Sequence, residues 1–193
     1  MYIGCQFSLY PMTDAFVSVI LPAVEALKRH QPLRIETDDL STLVVGAPEI
    51  MFPALRDSFA AAARRPGHLV FNATFSRGCP GEPDDPICRP TEPRAEGSPW
   101  PARAPSPKLG IRTAAQIALY PLGDQGYMDE IVRCIGFVKQ AGVFSRPKHF
   151  CSRLEADAAE VFDALERCFL DFGRPEQHVV LTAILSTGSP TKI

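Results

Sequence analysis

The sequence predicts an α+β fold: one βαββαβ unit written twice, with antiparallel sheets and helices on one face. Three observations predict it. The segment Gln6 to Asp14 returns as Gln116 to Asp124. The offset of 110 positions that relates Tyr10 to Tyr120 also relates Phe52, Leu55 and Phe59 to Phe162, Leu165 and Phe169, and His68, Ala73, Ser76 and Gly78 to His178, Ala183, Ser186 and Gly188. Within each copy, alternating and helical spacings follow one another in the order β-α-β-β-α-β.

The elements of the first copy follow in order. Cys5 to Tyr10 is short, aromatic and alternating, so it is a strand, and Pro11 ends it. Thr13 or Asp14 caps a helix carrying Phe16, Val17, Ile20, Val24 and Leu27 at helical spacing, with Pro22 inside it. Leu33 to Glu36 and Leu40 to Gly46 form two strands around a turn at Asp38 and Asp39. A second helix places Phe52, Leu55 and Phe59 on one face; Pro48 suits its first turn and Pro53 does not. His68 to Ser76 closes the unit as a strand. The second copy predicts strands at Gln116 to Tyr120, a hairpin within Val143 to Glu155, and a strand at Gln177 to Ser186. Its second helix opens with Asp157 and Glu160 at capping-box spacing. This order is that of a ferredoxin-like split βαβ unit.

The closing strands assign the faces. Leu69, Phe71, Ala73 and Phe75, and their counterparts Val179, Leu181, Ala183 and Leu185, point under the helices. The opposite face mixes Val70, Asn72, Thr74 and Ser76 with Val180, Thr182, Ile184 and Ser186, so it should pack against the other copy, a second chain or a ligand.

The expected organisation is a first repeat over 1–79, a proline-rich linker over 80–110 and a second repeat over 111–193. Nine of the 19 prolines fall between Pro80 and Pro107, a composition that builds neither helix nor ladder. Trp100, the single tryptophan, lies among them. The net charge of −2 gives no footprint for nucleic acid, and no apolar run is long enough for direct membrane insertion. The N-terminal residues lack the pattern of a signal peptide, so the expected location is the cytoplasm.

Chemistry-bearing motifs are scarce. The six cysteines form no CxxC pair and have no zinc spacing; Cys79 and Cys88 are near enough in sequence to bridge, but a reducing compartment keeps them free. There is no phosphate loop, no dinucleotide fingerprint, and no place for a diphosphate with its metal. Neither catalytic residues nor a cofactor nor a metal is therefore expected. His68, His178, Asp14 and Asp124 recur, the histidines as strand openers and the aspartates as helix caps. Tyr10 and Tyr120 stand at strand ends before proline, where a ring packs a corner or stacks on a ligand. The segment Thr37 to Thr42 aligns with Pro147 to Ser152 and keeps a hydroxyl at Thr42 and Ser152. Around it Asp39 becomes His149 and Ser41 becomes Cys151. A hydroxyl kept in an apolar strand of both diverged copies favours a polar task.

Taken together, Phe-Ser-Leu-Tyr-Pro-Met-Thr-Asp from Phe7, Leu-Ser-Thr from Leu40, Thr-Phe-Ser-Arg-Gly-Cys-Pro-Gly from Thr74 and Leu-Tyr-Pro from Leu119 resemble the YkoF-like family. The resemblance covers nearly the whole chain, although the linker is richer in proline than the family leads one to expect. It implies a homodimer with one ligand site per repeat, binding thiamine or its hydroxymethylpyrimidine moiety without catalysis. It also implies a place in uptake or salvage, with a transporter or salvage-pathway partner. Carried over by motif, main-chain groups of Leu9 and Leu119 and the hydroxyls of Thr42 and Ser152 hold the pyrimidine. Tyr10, Tyr120, Ser41 and His149 complete the candidate set. An aminopyrimidine edge matches an extended main chain's N–H and C=O, and Asp14, Asp38 and Asp39 are placed to offset a thiazolium cation.

Two other classes compete. A small ferredoxin-like enzyme would show one conspicuous, asymmetric acid or base in a sheet-lined cavity. A ligand-sensing regulatory module would pass its signal through the linker.

Overall fold

The computed structural model describes residues 3–79, 100, 103–123 and 125–191. Repeat one forms β1 (Ile3–Pro11), α1 (Phe16–Lys28), β2 (Arg34–Thr37), β3 (Thr42–Val45), α2 (Pro48–Ala63) and β4 (Leu69–Arg77). Repeat two forms β5 (Arg112–Pro121), α3 (Tyr127–Gln140), β6 (Phe144–Lys148), β7 (Cys151–Asp157), α4 (Ala158–Leu170) and β8 (Val179–Thr187). The expected order of elements is present in both.

Local chemistry explains where these boundaries fall. Pro48 is at the start of α2, where its missing N–H costs nothing. Asp157 and Glu160 form the expected capping box on α4. The expected cap at Asp14 is not made. Ala15 is the N-cap of α1, without a side-chain cap bond. Thr13 instead accepts from the Ala15 N–H at 3.2 Å, and its own N–H closes a turn on the Pro11 carbonyl at 2.9 Å. That turn consumes the residue that would have capped. Asp124 is outside the described residues. The strand expected from Leu40 starts only at Thr42, because Asp38 folds the preceding residues into a turn: its carboxylate accepts from the N–H groups of Leu40 and Ser41, both at 2.8 Å. Those two N–H groups hold the Asp38 carboxyl below the usual carboxylate range.

The eight strands form one sheet in the order β2-β3-β1-β4-β8-β5-β7-β6. Each half of that order is the ferredoxin-like one. The halves join by antiparallel pairing of β4 with β8. Ala73 faces Ala183 in this pairing, and the two are 110 positions apart, so they are each other's counterparts. A pseudo-two-fold axis therefore passes between them. The open face is thus not buried by the other copy: the repeats lie side by side, and all the helices share one face.

The core under the helices is continuous across the axis. Leu69, Phe71, Ala73 and Phe75, with Val179, Leu181, Ala183 and Leu185, are at most 3% exposed, as the alternation requires. Phe52 meets Phe169 at 6.0 Å and Phe59 meets Phe162 at 5.7 Å, both tilted by 52°. These pairs exchange under the offset of 110, so each repeat supplies half of each contact. Trp100 also packs on this core.

Residues 103–110 cross the helix layer without regular structure. Arg103 pairs with the buried Glu166 at 3.0 Å, and Ser106 binds Asp163 through both its N–H and its hydroxyl at 2.7 Å. Burial raises the pKa of Glu166, and Arg103 offsets part of that rise. The rest of the expected linker, including Cys88, is outside the described residues.

Candidate functional site

The two ends of the sheet leave matching gaps in its hydrogen-bond ladder. β1 pairs with β4 as far as Pro11, but with β3 only as far as Phe7, opposite Thr42. The Ile3 carbonyl points to the β3 side, where it accepts from Gly46. In a strand, every second residue presents its N–H and C=O to the same side, so Leu9 presents both to the β3 side as well. There β3 has ended and the Asp38–Ser41 turn has begun. Among the described residues Leu9 has no main-chain partner on this edge.

Repeat two repeats the arrangement. β5 pairs with β8 as far as Pro121 but with β7 only as far as Ile117, opposite Ser152. The Ile111 carbonyl accepts from Ala158 on the β7 side, which fixes the direction of Leu119 in the same way. Among the described residues each gap leaves an N–H and a C=O without a main-chain partner, in the extended geometry that a flat heterocycle with adjacent donor and acceptor would match.

The retained hydroxyls stand beside these gaps. Thr42 faces Phe7 and Ser152 faces Ile117, both on the helix side of the sheet. Each is one diagonal step from its leucine, about 7–8 Å between side-chain origins. Thr42 Oγ1 is 3.0 Å from Thr37 Oγ1. Ser152 is 8% exposed, and among the described residues its hydroxyl has no hydrogen-bond partner. A buried hydroxyl without a partner costs free energy unless something else binds it. Beyond each leucine the chain turns into a helix whose start is apolar and exposed: Met12, Phe16 and Val17 in repeat one; Leu122, Tyr127 and Met128 in repeat two.

The other candidates lie elsewhere. Tyr10 and Tyr120 follow Leu9 and Leu119 and so point to the open face, about half exposed. They are not brought to the side of Thr42 and Ser152. Ser41 turns to the open face as well, where its hydroxyl accepts from Gln6 at 2.8 Å. His149 is exposed at the tip of the β6–β7 turn. The turns beside the two gaps differ in charge: Glu36, Asp38 and Asp39 in repeat one correspond to Arg146, Lys148 and His149 in repeat two. The Lys148 ammonium donates to Gln116 at 2.7 Å. The recurrent histidines bind across the two repeats, His68 to Ser186 at 2.9 Å and His178 to Ser76 at 3.2 Å.

A small crevice between α2 and α4, lined by Phe52, Phe162, Arg56, Arg103, Asp163 and Glu166 among others, is on the far side of the helices and has room for little more than a water molecule. Its charged groups are already satisfied: Arg103 by Glu166, Arg56 by Asp57 and Ser106, and Asp163 by Ser106. Among the described residues no group of three His, Cys, Asp or Glu side chains is placed to hold a metal ion, and no helix is long and apolar enough to cross a membrane.

Two residues with structural work to do were not among the candidates read from the sequence. Arg77 ends β4 fully buried, and Gln177 holds the Leu122 carbonyl at 2.9 Å. Their counterparts, Thr187 and Gly67, share nothing with them.

Comparison with known proteins agrees with the geometry. The chain is 34% identical over 193 residues to a Bacillus subtilis (strain 168) protein named "Putative HMP/thiamine-binding protein YkoF", an alignment covering 98% of this chain and 92% of the relative. The model of the YKOF-related family matches twice, over residues 2–82 and 112–192, two segments that are themselves offset by 110. Twofold matching, whole-length similarity and the paired ferredoxin-like architecture agree: the chain belongs to the YKOF-related family.

Proposed function

We propose that each repeat binds thiamine or its hydroxymethylpyrimidine moiety without catalysis, and that the protein serves uptake or salvage of these compounds by delivery to a transporter or salvage enzyme in the cytoplasm. The observation that carries this reading is the pair of ladder gaps at Leu9 and Leu119. They recur at matching positions, each beside a retained hydroxyl and an exposed apolar helix start. The pyrimidine edge takes the free N–H and C=O, the hydroxyl of Thr42 or Ser152 adds a bond, and the apolar groups cover the ring. The relative's name supports the ligand class. Neither tyrosine is needed for this pose.

A thermal-shift series with thiamine, hydroxymethylpyrimidine and thiamine phosphates tests it. A ligand at 100 times its Kd stabilises by about 2.7 kcal/mol, a readily measured shift. Absence of any shift in folded protein would count against the reading. Calorimetry then resolves the two sites. Thr42→Ala and Ser152→Ala should each weaken one site about 5- to 10-fold, the worth of one hydrogen bond. The acidic turn of repeat one favours the thiazolium cation and the basic turn of repeat two opposes it. Relative to hydroxymethylpyrimidine, thiamine should therefore be favoured more at the site left intact in Ser152→Ala than at the one left intact in Thr42→Ala. Because hydroxymethylpyrimidine lacks the cation, the charge argument is read from the ratio of thiamine to hydroxymethylpyrimidine affinity, and an equal ratio at the two sites would refute it.

A homodimer through the uncovered sheet face belongs to the same proposal. Tyr10, Tyr120 and Ile184 leave apolar surface there, and a second copy buries it. Ile184→Lys puts a charge near the centre of that face and should turn a dimer into a 21.1 kDa monomer in sedimentation.

A further inference from the structure

Arg77 belongs to repeat one, yet its guanidinium donates to main-chain carbonyls of repeat two. It is 0% exposed at the end of β4, opposite Val179. Its Nε donates to the Phe169 carbonyl at 3.0 Å, its Nη2 to Phe172 at 2.8 Å, and its Nη1 to Arg174 at 3.0 Å and Pro175 at 3.2 Å. Longer bonds reach the carbonyls of Gly173 and Gln177, both at 3.4 Å. The acceptors are main-chain groups of the α4–β8 loop and the end of α4. Burial lowers the guanidinium's pKa to about 10, with Asp171 and Glu176 opposing the shift, so it stays charged at neutral pH. Gly173 has a φ of +81°, and a Cβ there would stand 2.7 Å from a Val179 methyl and 3.4 Å from Arg77 itself, so the loop fits tightly around the guanidinium.

The loop so held bonds to residues on either side of the turn from β5 into α3, the turn that follows Leu119. Gln177, 7% exposed, accepts from the Arg174 N–H and donates to the Leu122 carbonyl, both at 2.9 Å. The Leu122 N–H donates to the His178 carbonyl at 2.9 Å. Leu122 lies three residues beyond Leu119. Beyond the turn, Glu130 in the first turn of α3 accepts from the Gly173 N–H at 3.0 Å. Repeat one keeps only the Met12 N–H to His68 carbonyl bond, at 2.9 Å. Its counterparts of Arg77, Gln177 and Glu130 are Thr187, Gly67 and Ile20, none of which can make these bonds.

We infer that Arg77 is a positioning residue for the ligand site of repeat two, supplied by repeat one. Through the loop it fixes Leu122 and the start of α3, so the second site is preorganised and the first is not. This rests on the ligand reading above, and preorganisation lowers the ordering cost of binding.

Nitrogen-15 NMR titration of the full chain with hydroxymethylpyrimidine tests it, because the amide signals of Leu9 and Leu119 report the two sites in one sample. In Arg77→Met the Kd read at Leu119 should rise about 10-fold, while that at Leu9 stays within about twofold. Arg77→Lys, which keeps the charge and some donors, should recover most of the loss. An equal loss at both signals, or none at Leu119, overturns the inference. Amide hydrogen exchange without ligand is a second readout: Arg77→Met should speed exchange at Leu122 and Gly173 and leave Met12 unchanged. Unchanged exchange at Leu122 breaks the proposed link. Should neither signal of the wild type respond to hydroxymethylpyrimidine, the ligand reading fails, and the exchange result still decides whether Arg77 sets this rim.

Discussion

Phe71→Ala should destabilise the protein by about 4 kcal/mol and lower the midpoint of a single unfolding transition by on the order of 10 °C. Phe71 is fully buried on β4. It stacks on Phe7 at 5.0 Å and meets the edges of Phe59 at 6.1 Å and Phe162 at 5.9 Å. Two of these rings belong to its own repeat and the third to the other. Truncation leaves a ring-sized cavity that the sheet, paired on both sides of β4, cannot close. The shared core also dictates the shape of the melting curve: both repeats should unfold together, before and after the substitution. Heating followed by far-ultraviolet circular dichroism and by calorimetry checks this. Two separated transitions, with only the first moved, would show that the repeats are independent domains and that the contact across the axis contributes little.

Asp157→Ala should cost about 2 kcal/mol at neutral pH. The side chain caps α4 by accepting from the Ala159 N–H at 2.9 Å, and it also accepts from the N–H groups of Leu109 at 2.9 Å and Ile111 at 3.1 Å. One carboxylate thus closes a helix and fastens the end of the crossing segment. Burial raises its pKa, but the donors from Leu109, Ala159, Gly110 and Ile111 together outweigh that and leave it lowered. A carboxylate with a lowered folded-state pKa contributes stability that is fully present above the unfolded pKa of about 3.9 and is lost as the pH falls through the folded value. The gap between wild type and Asp157→Ala should therefore be widest near pH 7 and narrow below about pH 4. Denaturant titrations at a series of pH values measure it. A gap that does not change with pH would mean that the cap works without its charge.

The period-2 and helical patterns place most of the elements, because most bury one face on a common core; β6 buries none, and Phe16 and Val17 of α1 are exposed although they share its helical spacing. Capping at Asp157 is equally visible, since the box is local. Other features depend on contacts far along the chain. Nothing in Leu69–Arg77 tells which strand its free edge will meet. The ladder gap at Leu9 exists because Asp38 turns the chain before β3 can reach it, an outcome of two hydrogen bonds and not of a motif. Period 2 does put the side chains of Phe7 and Tyr10 on opposite faces, so the Tyr10 ring and the Thr42 hydroxyl, which faces Phe7, could not share a side. Arg77 was hidden for another reason: an arginine after an apolar strand has the look of a surface residue, and main-chain carbonyls leave no trace in composition.

The pairing of β4 with β8 has a consequence for descent. A strand that meets its own counterpart across a two-fold axis is what two identical half-length chains would form on meeting edge to edge, with Ala73 of one facing Ala73 of the other. Fusion of such halves into one polypeptide removes the requirement that both be the same. A residue needed on one side is then free to change on the other, as Arg77 and Thr187 have done. The axis is a fossil of identity, and the residues that violate it are a record of what the joined halves have since come to do separately.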